Sequence, residues 1–126
     1  MLSCPKPNEA YRQSSFEARL LGSSRNDLII FCLEDFLENL VSLELADTRG
    51  DSAGRSRAIT RSITALTALE LGLDRQAALS DSLAHLYSSA KNVLLNSVRH
   101  TDKANIAAIK RDFSEIAEAF RKAAFQ

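Results

Sequence analysis

Apolar residues along this chain recur at steps of three and four, the spacing that puts them on one face of an α-helix. Four such stretches are predicted, at about 26–47, 55–71, 75–100 and 103–124, with no useful length of strand-type alternation between them. The first is the most apolar. Projected at about 100° per residue from Ile29, the residues Cys32, Leu33, Phe36, Leu37, Leu40 and Leu43 fall within about 80° and form an ordinary core stripe. Ile30, Val41 and Leu45 extend the apolar arc to about 160°, and Phe31 lies at about 200°, among Asp35, Glu38 and Ser42. A bundle helix needs a stripe of only about 100° or a little more. The surplus has to be covered by another part of the chain or by a partner, and Ile30, Phe31, Val41 and Leu45 carry it.

The other stretches are amphipathic in the usual way. Ile59, Ile63, Leu66 and Leu69 line the second. Leu79, Leu83, Leu86, Ala90, Val93 or Leu94, and Ser97 or Val98 trace the inner face of the third, and Ile106, Ile109, Phe113, Ile116 and Phe120 that of the fourth. Ser24 and Asp27 have capping-box spacing ahead of the first helix. A polar linker from Asp47 to Gly54 follows it. Gly72 stands where a left-handed residue would close the second helix, Asp74 is an N-cap for the third, and Thr101 or Asp102 for the fourth. Short joints make neighbouring helices antiparallel, so the expected fold is all-α, an antiparallel up-down four-helix bundle.

Before the bundle, the segment from Ala10 to Leu21 holds Tyr11, Phe16, Leu20 and Leu21 and stops at Gly22. A helix that short is marginal in water unless something packs on it. It is expected to fold back and cover part of the surplus on the first long helix. The domain reading is therefore a flexible tail over 1–9, punctuated by Pro5 and Pro7, and a single helical domain over 10–126.

Composition narrows the function. Gly and Pro are scarce, which suits helix. The formal net charge is zero, and Asp47 and Asp51 dilute the cluster of Arg49, Arg55, Arg57 and Arg61, so no nucleic-acid partner is expected. The longest uninterrupted apolar run, Leu28 to Leu33, is too short to span a bilayer or to form a secretory core, which predicts a cytoplasmic protein with no membrane insertion. The two cysteines have no metal-ligand spacing; Cys32 reads as a small buried hydrophobe and Cys4 as part of the tail.

Catalytic chemistry finds little support. Neither His85 nor His100 follows a glutamate by three residues, as a ferritin-type metal site requires. The carboxylates Glu34, Asp35 and Glu38 fall on a solvated helix face, and the serines have no nearby His-Asp set. No enzyme activity, cofactor or metal is expected. Two alternatives stay open: a histidine phosphotransfer-type bundle using His85, although the lysine and glycine such a site places after its histidine are missing, and a homodimeric helical scaffold joined through the surplus face.

The order of several short motifs resembles the flagellin-specific export chaperones, the FliS family. Ala10-Tyr11-Arg12-Gln13 with Ser15-Phe16 resembles the family's N-terminal block, and Ser24-Arg-Asn-Asp27-Leu28 its capped opening of a very apolar first helix. Leu86-Tyr87 resembles a Leu/Met-Tyr step in the third helix, and Leu94 and Asp102 the end of that helix and the cap of the fourth. The chain diverges where Leu33 replaces a tyrosine, where Ser88 replaces an acidic residue, and in lacking the tryptophan often found near the end. The resemblance implies a non-enzymatic chaperone that binds the disordered C-terminal segment of flagellin as it becomes helical. It implies partner-binding roles for Tyr11, Leu28, Ile29, Leu86 and Tyr87, and a Tyr11 block that occupies a client groove in the free protein. Components of the flagellar export apparatus are further expected partners, and the surplus apolar face leaves room for a weak homodimer.

Overall fold

The structure, a computed structural model, describes residues 25–124. They form four helices: α1 (Arg25–Arg49), α2 (Ser52–Leu71), α3 (Ser80–Asn96) and α4 (Lys103–Ala124). The expected all-α bundle is present, and no strand occurs among the described residues. The predicted tail, Tyr11 with its block, and the Ser24 end of the capping box lie outside the described residues.

Side-chain contacts fix the helix directions. Arg25 at the start of α1 donates to the carbonyl of Gly72, just past the end of α2. Arg55 near the start of α2 reaches the carbonyls of Ser97 and Val98, just past α3. Lys110 of α4 pairs with Glu44 of α1 at 2.6 Å, and Arg121 with Glu34 at 3.5 Å. Each sequential pair, and α1 with α4, therefore runs antiparallel. α1 packs most extensively on α2 and also on α4, α2 packs on α3, and α3 meets α4 only slightly.

The core follows from the apolar spacing. Leu33, Phe36, Leu40 and Leu43 of α1 are completely buried, with Leu66 of α2, Leu94 of α3, and Ile106 and Phe113 of α4. Each such side chain contributes about 1.5–3 kcal/mol by leaving water. Small residues Ala58, Ser62 and Ala65 are buried on α2, the side chains that let α1 and α2 pack most closely.

The joints depart from expectation. The linker predicted over 47–54 shrinks to Gly50 and Asp51, because helix claims the rest. Gly50 takes the left-handed conformation, with φ of 67°, and closes α1: its N–H donates to Asp47 O and that of Asp51 to Ala46 O at 2.9 Å. Asp51 then caps α2, its Oδ1 accepting from Gly54 N at 2.9 Å. Gly72, expected to be left-handed, sits at φ −83° instead.

α3 is shorter than predicted at both ends. Asp74 makes a local turn, accepting from Gln76 N through Oδ1 and from Ala77 N through its carbonyl, and the helix begins only at Ser80. Leu73 packs against the core while Ala77 and Ala78 have little to bury, so the chain is drawn in at Leu73 and Leu79 is left 68% exposed. At the far end, Arg55 takes the carbonyls of Ser97 and Val98 and also donates to Thr101 Oγ1 at 2.9 Å, where the chain has already turned. Asp102 caps α4 as expected, accepting from Asn105 N at 3.1 Å.

The two glycines give opposite expectations for alanine. Gly50→Ala places a Cβ in a left-handed residue and should destabilise by about 1–2 kcal/mol. Gly72→Ala meets only ordinary contacts, the nearest being Ala68 O at 3.5 Å, and should be neutral or stabilising by about 0.4–1 kcal/mol. Urea midpoints at constant m-value read both.

Candidate partner-binding site

Once the core is filled, apolar surface remains. On the outside of α1, Val41 is 45% and Leu45 49% exposed, one helical turn apart. This is where the helical projection expected surplus. Ile30, expected on the same flank, is buried instead, outside the main core cluster. Phe31 is half-buried, as are Leu28 and Ile29. The predicted flank therefore narrows to Val41 and Leu45.

A second apolar feature lies at the opposite end of α1. A cavity of about 260 Å³ opens where the start of α1, the end of α2, the start of α3 and the end of α4 converge. Ile29, Leu69, Leu73, Leu83, Tyr87 and Phe120 give it an apolar wall, with Arg25, Asn26 and Asp74 among its polar residues. That volume suits one large side chain of an incoming segment. Ile29 and Tyr87, singled out separately in the sequence, thus share one hollow. In the sequence Leu69, Leu83 and Phe120 carry only the spacing of core positions and Leu73 carries no signal, and only the three-dimensional convergence of four helix ends makes them its walls.

The Leu86-Tyr87 step is oriented differently from the sequence expectation. Tyr87 is 2% exposed and belongs to the core, whereas Leu86 is half-buried beside it. The inner face of α3 is Ser80, Tyr87, Ala90, Leu94 and Ser97, and Val98 is exposed. In the first half of the helix the buried positions are one residue on from those expected, Ser80 for Leu79 and Tyr87 for Leu86, and the Tyr87 ring faces Phe113 at 6.0 Å between centroids; Ala90, Leu94 and Ser97 are buried as the spacing predicts. Any contact of Tyr87 with a partner is confined to the part of its ring that lines the cavity. His85 stays exposed on α3.

Burial raises the Tyr87 phenol above its ordinary value, with the neighbouring Cys32 adding to the effect. Cys32 is half-buried against the core, and burial followed by the Asp35 carboxylate raises its thiol as well. Both groups hold their protons more tightly than in water. No cluster of metal-ligating side chains occurs among the described residues, and no described helix is long and apolar enough to cross a membrane.

Four antiparallel amphipathic helices with a filled core, a hollow at one end and a bare apolar turn on α1 define the class: an all-α bundle with apolar surface beyond its own needs. The chain belongs to the FliS family, described as Flagellar protein FliS, whose profile matches residues 7–126. That family is one of flagellar export chaperones, so the chain is a chaperone of flagellum biogenesis. The matched span includes Tyr11. No curated protein matches the chain.

Stability measurements separate surface from core in this site. Val41→Asp and Leu45→Asp should each cost only about 1–2 kcal/mol, the half-covered share of one apolar side chain plus the lower helix propensity of aspartate. Tyr87→Ala, which empties the space beside Phe113, should cost about 3–5 kcal/mol. A collapse of the thermal transition in the Val41 or Leu45 variants would return those positions to the core.

Proposed function

We propose that this protein is a cytoplasmic secretion chaperone whose client is the C-terminal segment of flagellin, which folds into helix on the bundle. The observation that carries the reading is the pair Val41 and Leu45, nearly half exposed on a helix whose core stripe is already full. Family membership supplies the flagellar context. Recognition is of the helix-in-groove kind, with apolar anchors one turn apart meeting α1. The cavity beside Ile29 and Tyr87 takes a further anchor. Along α1, Ile29 and Leu45 are separated by about 24 Å at 1.5 Å per residue, so a client engaging both as one helix needs about 16 residues or more.

The task requires no bond to be made or broken. Ordering a disordered client opposes binding and keeps the complex releasable. Covering the segment blocks premature polymerisation and leaves flagellin competent for the export apparatus. Leu28, Ile30, Phe31 and Leu86 support the site from the half-buried or buried flanks. The N-terminal block with Tyr11 is an alternative occupant of the client surface in the free protein, and it is displaced when the client arrives.

Mixing the purified chain with a flagellin C-terminal fragment tests the reading by calorimetry and by the gain of helical circular dichroism. Val41→Asp combined with Leu45→Asp should weaken binding by roughly tenfold or more, with a single cooperative unfolding transition retained at a lower midpoint. Tyr11→Ala should alter affinity without changing helix content. Absence of binding and of helix gain in the native protein would overturn the client assignment. Dimerisation that consumes the same two residues would favour the homodimeric scaffold.

A further inference from the structure

A shallow groove of about 250 Å³ runs between the last turns of α1 and the first turns of α2. Leu45 and Ala46 line it from one side and Ala58 from the other, but its surface is mostly polar, with Asn39 and Ser42 on the α1 wall. Its rim is basic: Arg49 from α1, and Arg57 and Arg61 from α2. The only carboxylate on it, Asp51, is engaged through Oδ1 in capping α2 at Gly54 N. Arg49 and Arg57 form no ion pair among the described residues, whereas Arg55 next to them is fully used in holding the end of α3. The family match and the apolar anchors give this charge no role.

We propose that this groove is a docking site for an acidic amphipathic helix of a partner protein. The apolar residues of that helix rest on Val41 and Leu45, and its carboxylates, one turn apart on the flank, meet Arg49 and Arg57. Charge complementarity selects an acidic occupant. The adjoining exposed valine and leucine select a polypeptide over a phosphate backbone, which would leave them uncovered. Because the arginines lie only toward the C-terminal end of the α1 face, beyond Leu45, they also give the bound helix a direction. An occupant with its acidic turn at the wrong end would place carboxylates near Glu34 and Glu38 instead. The inference shares Val41 and Leu45 with the client reading and rests on that reading only if the occupant is flagellin itself.

The test uses two synthetic amphipathic helices with the same leucines, one with glutamates and one with lysines at the flanking positions, titrated against the full chain. At low salt the acidic peptide should bind about tenfold more tightly, a difference of about 1.4 kcal/mol, because rim charges tune affinity modestly. The preference should vanish at high salt and in Arg49→Gln/Arg57→Gln. Glutamine is chosen over glutamate because an acidic residue in the last turn of α1 would itself destabilise that helix. Backbone amide shifts should concentrate between Leu45 and Arg61. Equal affinity for the two peptides, or a preference that survives the double substitution, overturns the inference. A DNA duplex that displaces the acidic peptide also overturns it, in favour of nucleic acid. The flagellin fragment, titrated in parallel, separates the two readings. No flagellin binding with the peptide preference intact rejects the client alone. Flagellin binding without any peptide preference rejects the groove alone.

Discussion

Phe113 of α4 sits between Phe36 of α1, at 4.6 Å between ring centroids, and Tyr87 of α3, at 6.0 Å, and the arrangement of the remaining surface depends on this contact. All three rings are buried. Tilted aromatic pairs of this kind are worth about 0.5–1.5 kcal/mol beyond the area they bury. The contact matters most for α3, which packs on α2 and meets α4 only slightly. With Tyr87 locked inward, the rotation of α3 is fixed. Leu86 falls on the flank, His85 and Ser88 face water, and Leu95 and Val98 are left exposed. The exposure of His85 thus has a structural origin in the rotation of α3.

Much of this was legible in the sequence. The 3-4-3-4 spacing of Ile106, Ile109, Phe113, Ile116 and Phe120 marked α4, whose bounds agree with the prediction, and Asp102 caps it. The surplus on α1 was visible as an angle, and Val41 and Leu45 are where that angle put them. What sequence could not supply were choices between neighbours of similar chemistry. Leu86 and Tyr87 are both apolar enough for the core, and only the Phe113 ring decides between them. Gly50 and Gly72 both follow helices, and which becomes left-handed depends on how the chain turns next. Asp51 offered a better cap than any residue further along, so helix ran through a stretch whose polarity suggested a linker. The cavity at Ile29 and the arginine rim at Arg49 and Arg57 arise from residues brought together from different helices, which no one-dimensional pattern encodes.

α1 carries two demands that compete. It is the helix on which α2 and α4 both pack, and it also presents the apolar turn that faces out. The ion pairs Lys110–Glu44 and Arg121–Glu34 run along the α1–α4 seam. Pairs this exposed add little stability, about 0–1 kcal/mol each, but they occupy the space a partner would need on that side. The accessible approach to Val41 and Leu45 is thus from the opposite side, where α1 meets α2 and the arginines stand.

Magnitudes then constrain what can bind there. Burying a complete Val or Leu side chain is worth about 1.5–3 kcal/mol, and these two are already half covered, so together they yield roughly 2–3 kcal/mol. A micromolar complex needs about 8 kcal/mol, after the cost of ordering a flexible partner has been met. The α1 turn alone therefore cannot hold a client, and a dimer built only on it would be weak. Binding of useful strength has to recruit a second feature: the hollow walled by Ile29, Leu83 and Phe120, the arginine rim, or both. Because these lie toward opposite ends of α1, a client that uses all of them must follow the bundle for most of its length. A short peptide that reaches only one end would be held loosely, and the length of the engaged segment becomes the main determinant of affinity.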